Sequence, residues 1–347
     1  MTAWMKNGGP DSDIVLWSRV RLARNLAHTQ FPQRLEGDQG KAVMNQIAQA
    51  VETLKPGWQL QWQPLSEVSA IDRQVLVEKH LASPALVQDP VRFEGVVIDP
   101  TETVSLMVNE EDHLRLQVFL SGLQLNEAWQ LANRLDDELE RVLDFSYDAN
   151  FGYLTACPTN LGTGLRASVM VHLPALVLTR HVPQLFTALA QIGVVVRGLY
   201  GEGSDVAGNI FQISNQVSLG FSEEEFIHNL TVVAEQIVGR ERNARYLLTQ
   251  SHALELADRV GRAWGVLTHA RIISSEEALR LLSDVKLGED LGLLTVPGKA
   301  SFSELALMTR SGYLMKEAGR ELSPGERDEL RASILQKNLL AHDEGEQ

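Results

Sequence analysis

Three carboxylates stand side by side in V-N-E-E-D-H-L-R-L-Q, residues 108–117, just ahead of an arginine framed by leucines. Adjacent acids repel one another, so Glu110, Glu111 and Asp112 must face a metal, water or a cationic group. A further acid, Glu202, lies in R-G-L-Y-G-E-G-S-D-V-A-G-N, residues 197–209, where the glycines let a loop lie close to a ligand. Arginines make up the complementary set. In S-R-V-R-L-A-R, Arg19 and Arg21 share parity, so a strand sends both to one face and Val20 and Leu22 to the other. Arg115 opposes Leu114, Leu116, Val118 and Leu120 in the same way. Arg166 follows the turn N-L-G-T-G-L, and Arg197 ends the apolar run G-V-V-V. Any one such arginine reads first as a solvated strand residue. Together, at strand ends and beside glycine-rich turns, they can hold a triphosphate by paired hydrogen bonds.

The absences narrow the chemistry. No G-x-x-x-x-G-K-[ST], no H-R-D-x-x-x-x-N with D-F-G and no H-E-x-x-H occurs, which excludes a P-loop enzyme, a conventional protein kinase and a zincin. The single cysteine, Cys157 in T-A-C-P-T-N, excludes a disulfide framework and reads alone as a small buried hydrophobe. His80 and His113 lack metal-ligand spacing, so no protein-only metal site is expected. A net charge of −14 over 347 residues argues against a nucleic-acid coat. The N-terminus lacks a signal-peptide layout and no long apolar stretch occurs, pointing to the cytoplasm and away from a membrane.

The elements that must position these residues form two textures. Val43, Ile47, Val51 and Leu54 predict one helix; Leu125, Trp129, Ala132, Leu135, Leu139 and Val142 predict another, and residues 183–192 a third. DIVLWSRVRLARN, FEGVVID, TVSLMVNE, HLRLQVFL, YLTACPT, SVMVHL, GVVVRGLY and NIFQISNQVSL read as strands, several of them an antiparallel meander. From Ser222 onward the chain reads as helices, with capping patterns at Ser222/Glu225, Ser274/Glu277 and Ser323/Glu326. The tail HDEGEQ reads as disordered. The expected fold is α+β: a mainly antiparallel sheet flanked by helices over residues 1–244, then an all-helical domain over 245–347.

V-N-E-E-D-H-L-R, C-P-T-N-L-G-T-G-L-R-A-S, R-G-L-Y-G-E-G and S-R-V-R-L-A-R together resemble the signatures of the phosphagen (guanidino) kinases, over roughly residues 13–244. The arginine-rich strand begins near residue 13, without the helical N-terminal domain of the small-molecule enzymes, and Met170 replaces their usual histidine. With its helical C-terminal region, this layout is similar to the bacterial protein arginine kinases of the McsB type. R-D-E-L-R-A, residues 327–332, matches the motif with which that group binds phosphoarginine allosterically.

The resemblance implies γ-phosphoryl transfer from Mg-ATP to arginine side chains of proteins. It assigns Glu111 and Glu202 as catalytic, with Glu111 the better base and Glu202 a clamp; Glu110 and Asp112 are left as supporting residues that order the turn or help with metal-bound water. ATP falls to Ser18, Arg19, Arg21, His80, Arg115, Arg166, Ser168, Met170, Arg197 and Gly198, with His80 near adenine or ribose. Cys157 and Asn160 lie beside the substrate, and Arg327, Asp328, Arg331 and Ala332 form the phosphoarginine site. Mg²⁺ is expected on nucleotide oxygens. Further implications are a homodimer, protein substrates with accessible arginines, an activator protein, a heat-shock repressor as target and a Clp protease downstream. The alternatives are a kinase for free arginine or another small guanidino compound, and a catalytically silent phosphoarginine-binding adaptor.

Overall fold

The computed structural model describes residues 2–6, 8–54, 57–88, 93–198 and 207–340. Glu202 and the tail HDEGEQ lie outside these residues.

Alternation of apolar and polar residues builds one eight-stranded antiparallel sheet. Its strands are β1 (Val15–Arg24), β2 (Gln61–Pro64), β3 (Gly95–Ile98), β4 (Val104–Val108), β5 (Leu114–Ser121), β8 (Leu165–His172), β9 (Val194–Gly198) and β10 (Ile210–Asn215). A two-stranded ribbon, β6 (Tyr147–Asp148) with β7 (Gly152–Tyr153), stands apart. The order is β2-β3-β4-β5-β1-β8-β10-β9, which puts the arginine-rich strand β1 at the centre.

One face of the sheet is apolar. Val20, Leu22, Leu116, Val118, Ala167, Val169 and Ile213 pack there beneath α1 (Gln39–Glu52), α4 (Leu125–Glu140) and α7 (Glu223–Ser251). These helices run where the 3.6-residue apolar spacing puts them. Shorter helices α2 (Ala70–Glu78), α3 (Pro84–Gln88), α5 (Pro174–Leu178) and α6 (Val182–Gln191) fill the edges. The helical region adds α8 (Ala253–His269), α9 (Ser275–Asp290), α10 (Phe302–Met308), α11 (Ser311–Ala318) and α12 (Pro324–Leu340). A second core joins this region to the opposite face of the sheet through Trp4, Trp17, Phe119, Met170 and Ile210 on one side and Leu279, Leu282, Phe302 and Leu335 on the other. Among the described residues, no helix is long and apolar enough to cross a membrane.

One sequence expectation is corrected. YLTACPT is not a strand: only Gly152–Tyr153 pairs, and Pro158 opens a 3₁₀ turn, Pro158–Asn160. Pro158 has no N–H to give a ladder, which ends pairing there. α7 runs through the position of the expected boundary between 244 and 245 and continues to Ser251. The Ser222 capping box forms as read, but an unforeseen one, Ser301 with Glu304, starts α10. The β2 and α2 segments were not anticipated.

Candidate active site

Register fixes the cleft. Arg21 lies directly across from Arg166 on β8 and Gln117 on β5; Arg19 lies across from Ser168 and Phe119. Arg115 is one alternation further along β5, and Arg197 on β9 pairs with Gln212. All these positions share the sheet face opposite the apolar core, since residues two apart point the same way.

This face is crowded with positive charge. Arg19 donates from Nε to Ser168 Oγ (3.3 Å) and from Nη2 to Gln212 Oε1 (2.9 Å), and lies over the Trp17 ring at 5.4 Å. Burial first, then repulsion from Arg115 and Arg166, pulls it down to about 9. Arg21 is shifted well down by burial, then by Arg19, Arg115 and Arg166, with Glu110 opposing. Arg166 is lowered by burial and then by Arg197 and Arg115. Among the described residues, the buried Nε atoms of Arg21 and Arg166 have no hydrogen-bond partner. Cations that repel one another and retain buried donors make a site built for a polyanion.

The acids sit at one end of this row. Asn109 takes a left-handed φ of 58° to turn the chain, and its side-chain amide donates to Gly40 O and Phe93 O. Glu110 Oε2 lies 2.9 Å from Arg115 Nη1, and its Oε1 accepts from Ser83 Oγ. Glu111 Oε2 lies 3.3 Å from Arg115 Nη2, while Gln33 donates to the Glu111 backbone carbonyl at 2.6 Å. Asp112 is fully buried and ties two loops together, accepting from Asn25 Nδ2 (2.6 Å) and Ala156 N (2.8 Å). The buried His113 ring accepts from Leu26 N at Nδ1, so its Nε2–H donates to Gln30 O. Burial lowers it to about 4, which keeps it neutral.

Of the three acids, Glu111 alone is left partly open toward the cleft, its side chain 38% exposed. Burial raises its carboxyl; Arg115 pulls it back, Asp112 and Glu110 raise it, and a hydrogen bond from Cys157 lowers it. Cys157 therefore stands beside Glu111, its Sγ 3.1 Å from Thr159 Oγ1, and Asn160 closes the same turn. A carboxylate with a raised pKa, next to anchored guanidinium groups, can accept a proton at the edge of a phosphate site.

The other expected residues divide. Ser168 supports Arg19, while Met170 and His80 line a pocket beyond Trp17. Burial, then Arg19 and Arg310, lowers His80 to about 3, so its ring is neutral. Gly198 ends β9 opposite Phe211. Ser18 is not in the cleft: it points to the core face, where its hydroxyl donates to Gly122 O (2.7 Å) and accepts from Gln124 N (2.9 Å). Its parity with Val20 already dictated this. Gln212 was missed, although its place between Phe211 and Ile213 marks a polar position in an apolar strand. Ser83 and Asn25 carry no local signal.

On α12, Arg331 is buried and donates to Thr309 O (2.8 Å) and Ile273 O (2.7 Å) and pairs with Asp328. Ala332 is buried in the core beside it, and Arg327, one turn earlier, is half-exposed. Among the described residues no group of three or more His, Cys, Asp or Glu is placed to hold a metal.

A sheet with an arginine-lined face and a carboxylate at its edge defines a phosphotransferase that works on a cationic acceptor. The model for the ATP:guanido phosphotransferase C-terminal catalytic domain matches residues 42–244, and that for the protein-arginine kinase McsB C-terminal domain matches 253–347. The protein-arginine kinase of Moorella thermoacetica is 50% identical over 341 residues, covering 97% of each chain. That of Bacillus subtilis (strain 168) is 46% identical over 341 residues, covering 98% of this chain and 93% of its own. The chain belongs to the protein-arginine kinase family. Solved structures agree on the fold: lombricine kinase superposes with a TM-score of 0.60 at 24% identity, covering 70% of this chain and 69% of its own. The duplicated taurocyamine kinase of Schistosoma mansoni, with transition-state analogue components, gives 0.62 at 24% identity, covering 74% of this chain and 38% of its own.

Proposed function

We propose that this member of the protein-arginine kinase family carries out phosphoryl transfer from ATP to arginine side chains of proteins in the arginine-lined cleft. The observation that supports the reading best is the row of mutually repelling arginines ending at Glu111. Arg19, Arg21, Arg115, Arg166 and Arg197 neutralise the triphosphate and the charge that develops on the transferring group. Ser168 and Gln212 hold Arg19 in place. The acceptor guanidinium is a poor nucleophile, because it is cationic and delocalised. Glu111, with Cys157 beside it, aligns one nitrogen with the γ-phosphorus and takes its proton. The N–P bond forms as the bond to the β-bridging oxygen breaks, and ADP leaves with that electron pair. Glu202 supplies the second carboxylate. Mg²⁺ arrives on the nucleotide oxygens, which require no cluster of protein ligands.

The finer assignments follow family resemblance. Arg327, Asp328, Arg331 and Ala332 form a phosphoarginine site that activates the enzyme. Arg331 is already spent on holding α12 to Thr309 and Ile273, so Arg327 offers the free grip on the phosphate. The helical region, residues 245–347, dimerises the protein. It acts in the cytoplasm in the stress response, with an activator protein, on a repressor and on proteins bound for Clp proteolysis.

Incubating the chain with Mg-ATP and either a basic protein or free arginine tests the reading. Acid-labile phosphate should accumulate on the protein and be lost in Glu111→Gln. Turnover of free arginine alone would replace the protein acceptor with a small guanidino compound. Unchanged labelling in Glu111→Gln would remove the assigned chemistry.

A further inference from the structure

The cleft does not end at Glu111. That residue also lines a groove of about 1220 Å³, including the solvent at its mouth. Gln30, Phe31, Gln33 and Arg34, from the connector between β1 and α1, line it too, together with Ala156, the neighbour of Cys157.

The connector is held in place by its own contacts. Leu26 N donates to His113 Nδ1 (3.1 Å), His113 Nε2–H to Gln30 O (2.8 Å) and Ala27 N to Asp144 O (2.8 Å). Pro32 is buried and opens the 3₁₀ turn Pro32–Arg34, and Leu35 packs against the main core. Gln33 Nε2 donates to the Glu111 carbonyl at 2.6 Å, which ties the groove wall to the acid itself. Two side chains of this wall are left for a ligand. Phe31 is half-buried and Arg34 is exposed. Among the described residues, the Arg34 side chain has no ion pair or hydrogen bond, and Arg34 and Glu111 are the charged groups that line the groove.

We propose that this groove seats the polypeptide beside the target arginine, with Phe31 against the apolar part of a neighbouring residue and Arg34 selecting a carboxylate over a cation there. The inference rests on the protein acceptor of the proposed function and adds a sequence preference to it. An acceptor arginine held at Glu111 brings its neighbours with it, at about 3.3–3.6 Å of chain per residue. The groove that shares Glu111 gives them a track. A wall already fixed by hydrogen bonds lowers the cost of ordering an extended segment. A cation beside that track attracts an acidic neighbour and repels a basic one, so it sorts acceptors more than it tightens them.

The test compares kcat/KM of the full chain for three peptides in which glutamate, alanine or lysine flanks a single arginine on both sides. N-acetylarginine amide serves as the acceptor without neighbours. Wild type should favour the glutamate peptide over the lysine peptide by about 3- to 10-fold at low salt, the scale of an exposed charge pair that attracts in one and repels in the other. Arg34→Glu should reverse that order. Phe31→Ala should lower the ratio of alanine peptide to N-acetylarginine amide by about 5- to 10-fold, through lost apolar contact. An unchanged order in Arg34→Glu overturns the charge selection, and an unchanged ratio in Phe31→Ala overturns the groove as the track, whatever the absolute rates. If wild type phosphorylates N-acetylarginine amide and none of the peptides, the protein acceptor fails and takes the groove with it. Transfer to peptides that neither variant alters leaves the protein acceptor standing and removes the groove alone.

Discussion

Strand β1 carries two kinds of arginine, and their difference separates scaffold from site. Arg24 points to the core face and is fully answered. It donates from Nε (3.1 Å) and Nη2 (2.6 Å) to Asp136 Oδ2 and from Nη1 to Ala23 O (3.0 Å) and Thr163 O (2.9 Å), and it lies 3.5 Å from the Tyr153 ring centroid. Arg19 and Arg21, on the other face, have other arginines as their strongest electrostatic neighbours. A buried cation surrounded by acceptors stabilises the native chain against losing either partner; one surrounded by cations costs stability until an anion binds. Satisfaction of the guanidinium, more than its burial, tells the two roles apart.

The largest effect should come from removing a cleft arginine. Arg166→Ala should lower kcat/KM for ATP by about 10³-fold or more, while thermal unfolding shows an unchanged or raised midpoint because a repelling charge is gone. A drop in midpoint would put Arg166 with Arg24. The mirror experiment is Arg24→Ala. It should destabilise the chain by about 3–5 kcal/mol, because Asp136 stays buried and unpaired. The folded fraction should keep the wild-type KM for ATP; a changed KM would erase the distinction.

A pH profile sharpens the comparison at the acid end. If Glu111 acts as the proposed base, its reactive form is the carboxylate, and burial raises its pKa from the ordinary value. Activity should therefore be present at higher pH and fall as pH drops through that raised value, with the acid limb in kcat/KM displaced upward from the ordinary glutamate value. Since Arg115 pulls Glu111 down, the residual activity of Arg115→Ala should show this limb displaced to still higher pH. A limb that does not move would detach Glu111 from it. The smallest effect belongs to Ser18→Ala, which should cost about 1 kcal/mol through two lost hydrogen bonds on the core face and leave ATP binding unaltered. A weakened ATP affinity would return Ser18 to the cleft.

Much of this was legible because strand parity is a local property. Arg19, Arg21 and Arg115 could be sent to one face from their alternation with Val20, Leu22 and Leu116, and Ser222, Ser274 and Ser323 announced the helices they cap. The same parity would have excluded the Ser18 side chain, had alternation been weighed above resemblance. The contacts that hold the acids were not legible. Ser83 to Glu110, Asn25 to Asp112 and Gln33 to Glu111 join segments far apart in the chain, and nothing in their local sequences marks the meeting. The length of α7 was equally hidden, because helix-favouring residues run straight through position 244 to Ser251.

The placement of the arginines has a consequence for how the chain finds its register. A slip of β1 by one residue against β5 and β8 would turn Arg19 and Arg21 into the apolar layer and push Val20 and Leu22 out of it. Each misplaced guanidinium would lose its hydration with no anion to meet, a penalty of several kcal/mol per charge. Mispaired sheets are thus disfavoured by the same groups proposed to hold phosphate in the finished cleft. The polar row proofreads the assembly of the sheet before it ever meets a nucleotide.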